Sequence, residues 1–182
     1  LAQRRESFDP SPSEILSQLN RMLFEAGGGK TSMTCVLVIV DPNSGRMRYI
    51  NAGHNPPFIL PASAEDPRIQ RKRKRRVMHT TLKGSENLLG VLPEWSAEEQ
   101  EITLQPGDKL LLYTDGIFEC GNASGEVWGS KRFRAAIDEM RESSAEQLKT
   151  GLFEQAYQHF AGNPPDDDIT LLVCEVDDSW TP

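Results

Sequence analysis

The hydrophobic positions of this chain follow two different periods, and each change of period marks a predicted element. Ser11-Pro12-Ser13-Glu14 has the form of a capping box with proline at the first helical position. Ile15, Leu16, Leu19, Met22 and Leu23 then recur at helical spacing until Gly27-Gly28-Gly29. The period then changes. Thr34 to Val40 is rich in β-branched residues and predicts a strand, Asp41 to Gly45 a turn, and Met47 to Gly53 the returning strand of a hairpin. Phe58-Ile59-Leu60 is a short third strand, and Pro61 to Asn87 reads as a long loop. Ser96 to Leu104 alternates as a strand, and Gln105 to Asp108 turns the chain into the apolar run Lys109 to Thr114. Ser130 is read as the cap of a second helix, with Phe133, Ala136, Ile137 and Met140 on one face. A third helix runs from about Ser144 to Phe160, with Leu148, Leu152, Ala156 and Phe160 inward, and Gly162-Asn163-Pro164-Pro165 stops it. Ile169 to Val176 is the last strand. This mixture predicts antiparallel sheet with helices packed outside, an α+β fold class, in a single domain spanning 1–182.

Composition narrows the picture little. With 37% hydrophobic and 26% charged residues the chain can bury a core without staples. No apolar run approaches the roughly 20 residues that span a bilayer, and no signal core follows Leu1 to Glu6. Leu1 itself suggests a fragment or processed product. Cys35, Cys120 and Cys174 are odd in number and lack metal-ligand spacing. Cys35 and Cys174 lie in apolar runs and are read as packed, reduced thiols, which favours a cytoplasmic location.

Charge changes the picture more. The net charge is −7, but Arg68 and the unbroken run Arg71-Lys72-Arg73-Lys74-Arg75-Arg76 hold seven of the 20 basic residues. Without them 13 basic residues face 27 acidic ones, a balance of −14. The 61–87 segment is thus a basic loop on an acidic body. It is open to three readings: a solvated loop, a contact through 68–76 with nucleic acid or membrane, or a docking loop for a phosphorylated substrate. No aromatic residue is interleaved, so base stacking lacks support.

The candidate chemistry sits at the ends of two apolar runs. Lys109-Leu110-Leu111-Leu112-Tyr113-Thr114-Asp115-Gly116 ends in a carboxylate, and Asp166-Asp167-Asp168-Ile169-Thr170-Leu171-Leu172-Val173 begins with three. If the strands are antiparallel neighbours, Asp115 and Asp167 converge at one sheet rim, with Asp168 turned to the other face. Paired carboxylates repel unless a hard divalent cation joins them, which points to metal-assisted hydrolysis. Gly29-Lys30-Thr31 invites a phosphate-loop reading, but Phe24 stands where that pattern needs glycine, and the stretch follows a helix. His54, in the turn Asn51-Ala52-Gly53-His54-Asn55-Pro56-Pro57, is either a turn residue or a histidine near a metal-bound phosphate.

Six landmarks in order, Ala52-Gly53-His54-Asn55-Pro56-Pro57, Leu89-Gly90-Val91, Pro106-Gly107-Asp108, Tyr113-Thr114-Asp115-Gly116, Gly125-Glu126-Val127-Trp128-Gly129 and Asp166-Asp167-Asp168-Ile169-Thr170, resemble the PPM-type metal-dependent serine/threonine phosphatases. The likeness is to their bacterial SpoIIE/RsbU-like branch and runs from about Ser11 to Val176. It implies an α-β-β-α sandwich and two Mn²⁺ or Mg²⁺ ions held by aspartates and water. By motif position Asp115 and Asp167 match metal ligands, while Asp168, Gly116 and His54 are supporting residues. Two such ions lower the pKa of a water and clamp phosphoryl oxygens, so no protein nucleophile is required. The implied substrate is phosphoserine or phosphothreonine on an anti-sigma-factor antagonist in partner-switching signalling. The family opens with strands that carry a first metal aspartate and an Asp-x-Ser-Gly-x-Gly element ahead of the first helix predicted here. Neither occurs in this chain, so it is expected to be N-terminally incomplete and to hold at most half the metal shell. The rival expectation is a phosphatase-like module that binds a protein partner without turnover.

Overall fold

A computed structural model of the chain describes residues 11–69, 71, 72, 75, 76, 78–85 and 87–180. Along the chain its elements are α1 (Pro12–Gly27), β1 (Cys35–Val40), β2 (Arg46–Ala52), β3 (Phe58–Leu60), β4 (Arg71–Lys72), β5 (Arg75–Arg76), β6 (Thr80–Thr81), β7 (Gln100–Thr103), β8 (Lys109–Tyr113), α2 (Gly116–Glu119), α3 (Ser130–Glu139), α4 (Ala145–Phe160) and β9 (Leu171–Glu175). They form two compact units. One takes in residues up to His54 together with Gly84–Thr103, and the other Asn55–Lys83 together with residues from Leu104 on.

In the first unit β1, β2 and β7 make an antiparallel sheet in that order, and Leu16 of α1 packs with Ile50, Ala52, Leu89 and Trp95. Pro12 opens α1 as expected, but the capping box does not form: no side chain caps the helix, and the Ser11 hydroxyl points to Glu99 Oε2, 3.5 Å away. Met22 lies off the apolar stripe and is 65% exposed. The helix ends at Gly28 in the left-handed region (φ 57°), whose N–H donates to Phe24 O, so Gly29-Lys30-Thr31 is a helix exit. Gly90 has no room for a side chain: with φ +84°, an added Cβ would lie 2.4 Å from Thr31 O. Its N–H donates to the buried Asn20 Oδ1 at 2.7 Å, which ties Leu89-Gly90-Val91 to α1.

In the second unit the sheet order is β6-β3-β8-β9, antiparallel throughout. The charge-free run of β8 is interior, as its composition predicts, and β9 lies beside it at the sheet edge. Phe58, Leu60, Leu111 and Tyr113 share one face by strand alternation and pack with Phe133, Ala136 and Ile137 of α3 and Leu148, Leu152, Ala156 and Phe160 of α4. The capping box of α4 is complete, with Gln147 N–H donating to Ser144 Oγ and the Gln147 side chain accepting from the Ser144 N–H. Gly129, not Ser130, is the N-cap of α3, and the short α2 was not anticipated because four residues carry no periodic signal. β7 and β9 are shorter than the segments that predict them. Cys174 is exposed, on the face of β9 opposite Val173, whereas Cys120 is buried.

The segment 61–87 is more than a loop. β4 and β5 pair as a two-residue ribbon, β6 joins the sheet beside β3, and Ile69 and Leu82 are buried. Charge hides this organisation, because the anchors are single apolar residues and polar bonds. Arg68 donates to Asp66 (Nε to Oδ1, 2.8 Å; Nη2 to Oδ2, 2.6 Å) and to the buried Asp108 (Nη1 to Oδ2, 2.7 Å; Nη2 to Oδ1, 3.0 Å). The Thr80 hydroxyl donates to Arg68 O at 2.7 Å and closes the base of the hairpin. Beyond it, the buried His79 places Nδ1 2.7 Å from Asp138 Oδ1, which also accepts the Met78 N–H.

Arg68 hydrogen bonds to Asp66 hold that carboxyl below its ordinary range. A depressed carboxyl contributes stability above its unfolded pKa of about 3.9, and that contribution is lost as pH falls through the folded value. Arg68→Ala also strands Asp108, so it is expected to cost about 3 kcal/mol at pH 7. Urea unfolding should show the gap between variant and parent shrinking below about pH 4, as Asp66 takes up its proton.

Candidate metal centre

The ladder that joins β8 to β9 ends at the pair Tyr113–Leu171. Thr114 carries the connection further. Its N–H donates to Thr170 O at 3.0 Å, and its hydroxyl donates to Asp168 O at 2.9 Å while accepting the Thr170 N–H at 2.8 Å. One side chain thus staples the end of one strand to the approach of the next. Asp115 follows at once, half-buried, beside the exposed Asp166, Asp167 and Asp168.

Gly116 makes the approach possible. A Cβ there would stand 2.6 Å from Asp168 O and 3.2 Å from Asp167 O, both backbone atoms that cannot move aside cheaply. Asp115 is the N-cap of α2: its carbonyl accepts from the N–H groups of Phe118 (2.9 Å) and Glu119 (3.0 Å), while its carboxylate makes no capping bond. Asp167 Oδ1 accepts the Asp168 N–H at 2.7 Å. Residues 166–170 precede the strand, which starts only at Leu171, so strand alternation does not set the directions of Asp167 and Asp168 as expected.

The core below is aromatic. Tyr113 stacks on Phe58 (centroids 5.4 Å, 14°) and meets Phe133 edge-on at 4.8 Å. Burial pushes its phenol up to about 12; the nearby Arg134 opposes this and the charge of Asp115 adds to it. The loop that delivers the aspartates is held from α2, with Cys120 Sγ 3.6 Å from Pro164 O and Asn163 Nδ2 donating to Gly121 O at 3.2 Å. An open depression of about 490 Å³ borders it, lined by Phe153, Tyr157, Pro165, Asp166, Asp167, Asp168 and Ile169.

Four of the residues singled out in the sequence, Asp115, Gly116, Asp167 and Asp168, meet at one end of this sheet. His54 belongs to the other unit. Its N–H donates to Asn51 Oδ1 (2.9 Å) and its carbonyl accepts from Asn51 Nδ2 (3.0 Å), a side-chain-closed turn. Thr114 and Cys120 escaped sequence reasoning. A signal for Thr114 stood in the Thr-Asp-Gly triplet, where the hydroxyl carries as much geometry as the aspartate.

Carboxylates are the hard oxygen donors that Mg²⁺ and Mn²⁺ take, so the residues fit such an ion in kind. They fit less well in number. Among the described residues no group of three or more His, Cys, Asp or Glu side chains converges, while an octahedral ion takes about six ligands.

The sequence model of Stage II sporulation protein E (SpoIIE) matches residues 2–177. This chain belongs to the SpoIIE family. It is 26% identical over 135 residues to Protein IcfG of Synechocystis sp., covering 74% of this chain and 19% of that protein. It is 23% identical over 164 residues to phosphoserine phosphatase RsbU of Bacillus subtilis, covering 89% of this chain and 44% of that one. The chain therefore spans less than half the length of these curated relatives. The SiaA-PP2C domain of Pseudomonas aeruginosa superimposes with a TM-score of 0.73 at 21% identity, over 91% of this chain and 61% of that one. That likeness shows the fold, the mixed helix and antiparallel-sheet architecture of a PP2C phosphatase domain.

Two substitutions test the SpoIIE-family geometry by urea unfolding. Gly116→Ala should cost about 1–3 kcal/mol by forcing the Asp167–Asp168 backbone away. Thr114→Val, which keeps the shape and deletes the hydroxyl, should cost about 1 kcal/mol. A Gly116→Ala protein as stable as the parent would show that the two loops are not in contact.

Proposed function

We propose that the chain is the phosphatase portion of a metal-dependent enzyme that hydrolyses phosphoserine or phosphothreonine on a regulatory protein. The proposed substrate is of the anti-sigma-factor antagonist type, within bacterial partner-switching signalling in the cytoplasm. The observation that carries this reading is the Thr114 staple, which ties the residue before Asp115 to the backbone of Asp168 and Thr170 at a sheet end. Family membership and the likeness to a phosphoserine phosphatase support the reaction class.

In this reading Asp115 and Asp167 contribute carboxylate ligands to two Mn²⁺ or Mg²⁺ ions. When bound, such ions supply Lewis acidity toward a phosphoryl oxygen and an acidified water. Gly116 keeps the two aspartate loops in contact, and Asp168 fixes the loop by giving its carbonyl to Thr114. His54 stays a supporting residue by motif position alone. The half-buried position of Asp115 and the stacked ring of Tyr113 beneath it hold the donor in place, so the alignment cost is met on folding rather than on binding.

A second reading has one observation in its favour: no group of three acidic or histidine side chains converges among the described residues. It makes the chain a phosphatase-like module that binds a protein partner without turnover. Calorimetric titration with Mn²⁺ separates the two. Tight uptake of two ions accompanied by phosphatase turnover excludes the module, and absent or weak uptake by this chain supports it.

Asp115→Asn and Asp167→Asn, each made in the longest protein that carries this chain, should keep the fold. Each should lower metal-dependent phosphoprotein hydrolysis by at least about a hundredfold, because each removes a charged ligand from the reacting centre. Full turnover in both variants would remove the site from consideration.

A further inference from the structure

We propose that the depression between α4 and the aspartate loop is a specificity subsite for a basic side chain, arginine or lysine, that lies close in sequence to the phosphoserine of the substrate. The nature of the substrate rests on the phosphatase reading above; the preference for a basic side chain does not.

The aromatic wall is the first observation. Helix α4 buries Leu148, Leu152, Ala156 and Phe160, and Phe153 and Tyr157 stand one turn apart on the adjoining face. Their rings stack with centroids 6.1 Å apart at 21°. Tyr157 also meets the buried Phe160 edge-on, with 5.7 Å between centroids. Two neighbours hold the ring, yet Tyr157 is 54% exposed. It offers aromatic surface to a ligand at little cost in lost freedom.

The facing wall is the second. Pro165 and Ile169 add apolar surface to the depression, and the exposed Asp166 follows Pro165 directly. The Asp166 carboxylate enters no hydrogen bond or ion pair among the described residues. Asp167 differs, because its Oδ1 accepts the Asp168 N–H. The backbone of this wall is held on both sides, by Cys120 and Asn163 before it and by Thr114 after it.

Together the walls select the occupant. An apolar side chain would take the carboxylate out of water without a partner. An anion would meet three aspartates on a chain of net charge −7. A bare divalent ion has no use for the rings. A basic side chain satisfies both walls, with its methylene stem on apolar surface and its charged head between ring and carboxylate. The volume of about 490 Å³ holds such a side chain with part of its backbone.

Continuity with the candidate centre places that residue in the peptide. Asp167, read above as a metal ligand, lines the same depression. An extended peptide advances about 3.4 Å per residue, so the basic residue falls within roughly three positions of the phosphoserine. Its charge also offsets the repulsion that the exposed aspartates exert on the incoming phosphate.

The test uses phosphoserine peptides with arginine, lysine, leucine or alanine at each of the three positions before and after the phosphoserine. They are hydrolysed by the longest protein that carries this chain, with Mn²⁺. At one position arginine and lysine should raise kcat/KM over alanine by about tenfold, and the gain should shrink with salt. Tyr157→Leu, which keeps bulk without the ring, and Asp166→Asn should each reduce the ratio of arginine to alanine peptide toward one. Tyr157→Phe should retain it. A preference that survives Tyr157→Leu or Asp166→Asn overturns the proposal, as does a preference for leucine over the basic residues. Should a variant fail to fold, the parent decides: a salt-sensitive gain from arginine upholds the subsite, and equal turnover of the whole panel overturns it. If no form turns over any peptide, the phosphatase reading fails. Fluorescence anisotropy of the labelled arginine and alanine peptides on this chain then decides the subsite, which equal affinities overturn.

Discussion

The antiparallel register that sets Tyr113 opposite Leu171 governs where every acidic residue of the candidate centre stands. A slip of one residue would turn Leu111 and Tyr113 away from α3 and α4 and bring Leu110 and Leu112 inward. The aromatic contacts of Tyr113 with Phe58 and Phe133 resist that change. Thr114 extends the register past the last ladder pair, with three hydrogen bonds between its backbone and hydroxyl and residues 168–170. Pairing of the strands, rather than any attraction between carboxylates, brings the loops that carry Asp115 and Asp166–Asp168 to the same end of the sheet.

Much of this was legible in the sequence. The charge-free run before Asp115 can only be an interior strand, and an apolar run led by aspartates can only enter the same sheet from its rim. Helical spacing of Leu148, Leu152, Ala156 and Phe160 located α4 to within one residue, because all four point into one core. The failures have two causes. Ser11 had the right neighbours for a capping box, yet its hydroxyl turns to Glu99, a residue 88 positions away that no local pattern can foresee. Cys174 sits in an apolar run but on the exposed face of an edge strand, and a run without alternation does not say which side is covered. The path of 61–87 rests on Arg68 meeting Asp108, forty residues on, and on His79 meeting Asp138. Long-range polar bonds leave no period behind them.

The two ends of the β8 sheet obey different electrostatics. Around Asp115 and Asp166–Asp168, negative charge is gathered on half-buried and exposed positions. At the opposite end Arg68 is held by two aspartates, one of them fully buried, in a collar of net charge −1. The buried Asp108 also accepts the N–H groups of Ala62 and Gln105, so the collar belongs to the turn that starts β8. The same short strand therefore fixes a carboxylate at one end and an arginine clamp at the other.

Closure of the hairpin at its base has a consequence for inheritance. Because Thr80 and Arg68 meet behind the ribbon, the chain between Ile69 and Met78 is bounded by fixed points that do not depend on what lies between them. Each doubling of such a bounded excursion costs only about 0.6 kcal/mol of closure entropy. Descendants can therefore lengthen, trim or rewrite this tip while β3, β6 and β8 keep their pairing. Changes in the tip and changes around Asp115 then fall on separate stretches of the gene.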